Sequence, residues 1–129
     1  MRSIPEVTPT VLVVDDDDAW RSALKDCLER EGFKVVGVAR TEWIFSAIDL
    51  YRPAAVVLDN QMPGVAIGLE LLPAMRERWP ALPIVMMTAF GGRLTADEAL
   101  RRGATAYFDK PFRVADLIGE IRRQIGGHS

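Results

Sequence analysis

VLVVDDDD, Val11 to Asp18, sets four aliphatic residues directly against four carboxylates. The aliphatic half has the length and branching of a strand buried on both faces, whereas adjacent carboxylates repel one another and resist burial. Such a junction marks where a strand leaves the interior. Outward from it the same grammar repeats, in FKVVGV (Phe33 to Val38), AVVL (Ala55 to Leu58), IVMM (Ile84 to Met87) and TAYF (Thr105 to Phe108). Amphipathic stretches alternate with these runs, which is the pattern of repeated βα units and a parallel sheet covered on both faces. The reading is an α/β fold of five strands and five helices.

Helical spacing fills the gaps. Trp20, Ala23, Leu24, Cys27 and Leu28 line one face of a first helix, which Gly32 stops. Thr41 is expected to cap a second, carrying Ile44, Ala47, Ile48 and Tyr51 and ending before Pro53. A third runs through Leu69, Leu72, Met75 and Trp79 to Pro80, with Pro73 near its first turn, where a missing N–H matters least. Thr95 and Glu98 form the Thr-x-x-Glu capping box of a fourth, closed by Gly103. Val114, Leu117, Ile118, Ile121 and Ile125 stripe a fifth. No repeat, linker or low-complexity segment divides the chain, so residues 1–129 read as a single domain with its core at about 10–125.

The 129 residues, 49 % of them hydrophobic, are enough for one core. Lys plus Arg number 16 against 18 Asp plus Glu, for a formal net charge of -2. No broad basic field exists to attract phosphates, so direct nucleic-acid binding is not expected. Cys27, the single cysteine, excludes an internal disulfide framework, suits a reducing cytoplasm and reads as a core residue. No apolar run approaches the ~20 residues of a bilayer span, and MRSIPEVTPT lacks the apolar centre of a signal peptide. The expected location is cytoplasmic, with no membrane partner.

In open α/β sheets ligands gather beyond the carboxyl ends of the strands. The first strand delivers Asp15 and Asp16 there, the third Asp59 in DNQMPG, the fourth Thr88 with Ala89, and the fifth Lys110 in FDKPF; the second delivers no comparable group. Converging carboxylates repel by about 4 kcal/mol per close pair in a partly screened site, so a positive charge must sit among them. A few hard oxygen ligands with room for water suit Mg²⁺, which commonly shares such a site with a phosphate. Lys110 adds a fixed point charge and Thr88 a hydroxyl donor, both suited to the oxygens of a transferring phosphoryl group. Only the carboxylates remain as nucleophiles, and Asp59, alone at a central strand end, is better placed than the crowded pair. The residue types point to Mg²⁺-assisted aspartyl phosphorylation.

VLVVDDD, VVLDNQMPG, PIVMMTAF and GATAYFDKPF, in this order and spacing, resemble the receiver domain of bacterial two-component response regulators from about Thr10 to Ile125. The resemblance implies a flavodoxin-like, doubly wound sheet of strand order 2-1-3-4-5, an order for which a receiver is itself a standard illustration. It places the phosphoacceptor on Asp59 and the acidic pair on Asp15 and Asp16, with Asp16 a direct metal ligand and Asp15 acting through water. The main-chain carbonyl of Gln61 completes the protein's share of the coordination. Thr88 and Lys110 take the places of the switch hydroxyl and the phosphate-pairing lysine, and Tyr107 that of the aromatic that changes rotamer with Thr88. Lys110–Pro111 falls on the family's cis peptide. Four consecutive aspartates leave the register open; strand alternation and the family pattern agree on it, and Asp17 and Asp18 then fall at the start of the first helix, favourable beside its dipole.

The implied function is a switch rather than an enzyme. A histidine kinase or phosphotransfer protein donates a phosphoryl group to Asp59, and the altered face then engages a downstream protein target or a second copy in a phosphorylation-dependent dimer. Arg101, Arg102 and Arg113 stand equally for that partner face and for solvated helix positions. The sequence carries no effector segment after Ile125, so the expectation is a stand-alone regulator or a fragment of a longer one. Two departures stand out. MPGVAIG, Met62 to Gly68, is one residue longer than the family's usual turn and lacks its Asp. The resemblance places the family's lifetime-tuning positions on Gln61 and Phe90; Phe90 has no group to orient water, so slow self-hydrolysis is expected.

Taken singly, these residues have plainer readings. The Asp run is a solvated turn or cap, Asp59 a turn residue, Lys110 a surface lysine, Thr88 a loop hydroxyl and Tyr107 a core ring. Their joint placement carries the argument. Two other functions share parts of it. A pseudo-receiver keeps the fold as a binding module and is never phosphorylated. A haloacid-dehalogenase-type phosphatase also uses a strand-end Asp, Mg²⁺, a Thr and a Lys, but its Asp-x-Asp-x-Thr/Val motif would read Asp15, Asp17 and Ala19, and no acidic motif follows Lys110.

Overall fold

The computed structural model describes residues 8–60, 68–89 and 93–126; Gln61, Phe90 and residues 62–67 of the lengthened turn lie outside the described residues. The order is β1 (Thr10–Val14), α1 (Asp18–Arg30), β2 (Lys34–Val38), α2 (Ile44–Tyr51), β3 (Ala55–Asp59), α3 (Gly68–Arg78), β4 (Ile84–Thr88), α4 (Arg93–Arg102), β5 (Ala106–Asp109) and α5 (Val114–Gly126). All four strand pairings are parallel, and the sheet order is 2-1-3-4-5, as expected.

The strands' composition follows from their place in this sheet. β3 and β4 are buried throughout and β1 from Val11 onward, which is why they read as unbroken apolar runs. Side-chain alternation sorts them onto two faces. Leu12, Val14, Val56, Leu58, Ile84 and Met86 pack with Ile44 and Ile48 of α2, Leu72 and Met75 of α3, and Ala99 of α4. Val11, Val13, Val57, Val85 and Met87 pack with Leu24 and Leu28 of α1 and Leu117, Ile118 and Ile121 of α5. Full burial of one such Leu or Ile contributes about 1.5–3 kcal/mol, so both layers are needed to hold the central strands in place.

The helices depart from the sequence pattern in four places. Thr41 caps nothing: a single 3-10 turn over Thr41–Trp43 precedes α2, with Arg40 at its start and no side-chain cap. Arg40 is engaged with Glu42 instead. α4 begins at Arg93, so Thr95 is a first-turn residue, and Glu98 pairs forward with Arg101 and Arg102 rather than back to a cap. Pro73 is the sixth residue of α3, in its second turn. The helical bond it cannot make would end on the Leu69 carbonyl, and Arg102 Nη1 of α4 donates to that carbonyl at 3.2 Å. Finally, Ala23 and Tyr51 are exposed and Cys27 is half-buried, so the first two apolar stripes are narrower than their periodicity implied. Gly32 and Gly103 do stop α1 and α4, at φ of +97° and +122°.

Candidate functional site

The carboxyl ends of β1, β3, β4 and β5 converge on one cluster. Asp15 follows β1 directly and is fully buried; its N–H donates to Val38 O at 3.0 Å, continuing the sheet by one bond. Its Oδ1 accepts from Asp17 N at 2.9 Å, while Asp17 Oδ1 accepts from Ala19 N and Trp20 N at 3.0 and 3.1 Å. The second half of the acidic run is thus the cap of α1, and its first half the wall of a cleft. Asp16 is exposed and Asp59 buried, yet one carboxylate oxygen from each of Asp15, Asp16 and Asp59 lies within 4.8 Å of the others.

Lys110 enters from the end of β5. Its Nζ is 2.9 Å from Asp15 Oδ2 and 3.9 Å from Asp59 Oδ1, with the side chain 17 % exposed. The Lys110–Pro111 peptide is cis, and Lys110 N donates to Thr88 O at 2.8 Å, tying the lysine to the end of β4. Thr88 is fully buried and stands opposite Asp109 in the β4–β5 register, one step past the Asp59–Met87 pair. Tyr107 packs partly against the core, and its hydroxyl donates to Asp109 Oδ1 at 2.8 Å.

Three carboxylates facing one ammonium leave the cluster negative, and every donor is a hard oxygen. Ligand atoms around an ion with ~2.1 Å bonds stand about 3–4 Å apart, so these oxygens need only small movements to close on one divalent cation. The residues present fit the expected Mg²⁺.

Several residues shape this cleft without a sequence signal that marks them. Asn60 is buried, and its Oδ1 accepts from Leu69 N at 2.9 Å, fastening the start of α3 to the end of β3. A Cβ on Gly68 would lie 2.9 Å from Asp59 O, so only glycine lets α3 approach the acceptor strand this closely. β2 contributes space: Arg21 lies over Gly37, and its Nη1 donates to Asp15 O at 2.7 Å. Trp20, which reads as a packing residue in the sequence, has its ring centroid 5.0 Å from Lys110 Nζ.

The known proteins agree with this geometry. Residues 11–122 match the family model described as the response regulator receiver domain. Response regulator protein FleR of Pseudomonas aeruginosa is 38 % identical over 117 residues, covering 91 % of this chain and 24 % of FleR. Transcriptional regulatory protein FixJ of Azorhizobium caulinodans is 36 % identical over 124 residues, covering 95 % of this chain and 57 % of FixJ. The chain therefore spans between about a quarter and three-fifths of these relatives' lengths. The receiver domain of NtrX from Brucella abortus superposes with a TM-score of 0.84 at 33 % identity, over 90 % of this chain and 98 % of that one. With a flavodoxin-like sheet, an acidic cluster at its carboxyl edge and a family match across nearly all of the described fold, the chain belongs to the receiver domain family of two-component response regulators.

Proposed function

We propose that this chain is a phosphoacceptor switch. A carboxylate oxygen of Asp59 attacks the phosphorus of a phosphohistidine on a kinase or phosphotransfer protein; the new P–O bond forms as the P–N bond breaks, and the imidazole nitrogen leaves with the electron pair. Asp16 and Asp59 would hold Mg²⁺ directly and Asp15 through water, together with the Gln61 carbonyl. When bound, the ion offsets the negative charge gathered on the transferring group. Lys110 pairs with one phosphoryl oxygen and the Thr88 hydroxyl donates to another, which draws Thr88 toward Asp59 and lets Tyr107 turn inward, away from Asp109. The face built by α4, β5 and α5 then changes partners, to a downstream protein or a second copy.

The observation that carries this reading is the meeting of Asp15, Asp16, Asp59 and Lys110 within one cleft. It is a switch working in the cytoplasm, where ATP-fed kinases act, and because Phe90 carries no group to orient an attacking water, self-hydrolysis is slow. Intact mass after acetyl phosphate and Mg²⁺ tests the chemistry. One phosphoryl adduct is expected on the native chain and none on Asp59→Asn. Absence of the adduct on the native chain would return it to the binding-module reading, and an adduct surviving in Asp59→Asn would remove Asp59 from its role.

A further inference from the structure

Lys110 carries a long, rotatable side chain, yet its ammonium must wait at one spot between Asp15 and Asp59. The carboxylates are not its only neighbours. On another side lies the indole of Trp20, 5.0 Å from Nζ to the ring centroid. That ring is itself fixed. Its Nε1–H donates to Met87 Sδ at 3.4 Å, and it meets Phe112 edge-on at 5.4 Å, while Phe112 packs against Phe108 at 5.2 Å. Met87 is the register partner of Asp59 and the residue before Thr88, so the shelf under the ammonium is anchored to the strands that hold the acceptor and the hydroxyl. A ring face attracts a cation most when both are shielded from water, and the Lys110 side chain is 17 % exposed.

We infer that Trp20 is a positioning residue for Lys110: its ring face holds the ammonium in reach of the Asp59 carboxylate before any phosphoryl donor arrives. The kinetic consequence rests on the phosphoacceptor reading; the contact itself does not. Loss of the aromatic face lets the ammonium move toward Asp15 and away from Asp59, so Trp20→Leu slows phosphorylation by acetyl phosphate about three- to tenfold, while Trp20→Phe stays within about twofold of the native rate.

The test pairs two measurements on native chain, Trp20→Phe and Trp20→Leu. In the metal-free protein, carbon–proton NMR should show the Lys110 Cε protons displaced upfield by the ring in the native chain and in Trp20→Phe, and at ordinary lysine values in Trp20→Leu. With acetyl phosphate and Mg²⁺, the rates should rank native, Phe, Leu. An unshifted Lys110 in the native chain, or equal rates for the Phe and Leu variants, would overturn the assignment. If the native chain takes no phosphoryl group, the phosphoacceptor reading fails and the NMR arm still decides the contact. If Trp20→Leu does not fold, Trp20→Met keeps apolar bulk and removes the ring face; the Lys110 signal should then return to ordinary lysine values, and a signal that stays upfield would overturn the proposal.

Discussion

The ammonium of Lys110 and the carboxylate of Asp15, 95 positions apart in the chain, meet at 2.9 Å with Asp15 fully buried. One buried carboxylate is thereby neutralised, and two more, Asp16 and Asp59, each bring an oxygen within 4.8 Å of it while Lys110 Nζ stands 3.9 Å from Asp59 Oδ1. The metal-free site is therefore held together against its own repulsion. Removing one like charge with Asp59→Asn should raise the unfolding free energy without divalent cation by about 1–2 kcal/mol, or about 3–8 °C in midpoint for a chain of this size. Lys110→Met should lower it by about 2–4 kcal/mol, because it strands Asp15. Thermal unfolding in chelator reads both signs. A destabilised Asp59→Asn would show that repulsion does not govern this cluster.

Two glycines make opposite predictions. At Gly68 a Cβ would lie 2.9 Å from Asp59 O, 3.1 Å from Asn60 Cα and 3.1 Å from Met86 Cε, so something must shift. Gly68→Ala should cost about 1–3 kcal/mol and slow phosphorylation, because the backbone that yields is that of the acceptor strand. Gly119 lies on an exposed face of α5 with nothing within 4 Å of such a Cβ. Gly119→Ala should stabilise by about 0.5–1 kcal/mol through helix propensity alone. Denaturant titration of both variants, with acetyl phosphate rates on Gly68→Ala, checks the pair.

The same contrast explains what the chain revealed before its structure. The meeting of Asp15, Asp16, Asp59 and Lys110 was legible because parallel βα units leave one edge for polar strand ends, and the VLVV-to-DDDD junction marks that edge; the strand order came only from the resemblance to receiver domains. Partnerships between side chains and distant main-chain groups were not. Arg76 donates to Gly103 O at 2.5 Å, Leu82 O at 2.7 Å, Pro80 O at 3.0 Å and Trp79 O at 3.1 Å, stapling the end of α3 to the end of α4. In sequence it is one more cation on an amphipathic helix. Thr95 shows the reverse error, a local capping pattern overridden because α4 starts two residues earlier.

Glu98 gives a pH dependence with a definite sign. Its hydrogen bond from Arg102, with the charges of Arg101 and Arg102 beside it, holds its carboxyl below the ordinary value of 4.5. A depressed carboxyl favours the folded state above its unfolded pKa, and that contribution is lost as pH falls through the lower folded value. Between pH 6 and pH 3 the native chain should thus lose more stability than Glu98→Gln, and the difference should shrink in high salt because the group is solvent-facing. Parallel denaturation curves across that range measure it; identical slopes would remove Glu98 from the account.

Pro73 and Arg102 form the most discriminating pair. Pro73 cannot donate to the Leu69 carbonyl one helical step back, and Arg102 Nη1 reaches that carbonyl from α4 at 3.2 Å while its Nε donates to Glu98 Oε2 at 2.5 Å. A gap in one helix is thus the socket for a side chain of the next. Arg102→Ala in the native chain should cost about 1–2 kcal/mol, since the carbonyl loses a charged donor. Pro73→Ala restores an N–H within α3 and should stabilise by about 1–3 kcal/mol. In that background the carbonyl already has a helical partner, so Arg102→Ala should cost about 0.5–1 kcal/mol less than in the native chain. A double-mutant cycle on unfolding free energies reads this coupling directly. Additive effects would mean that Arg102 supports α4 only through Glu98, and that the meeting at Leu69 carries no energy.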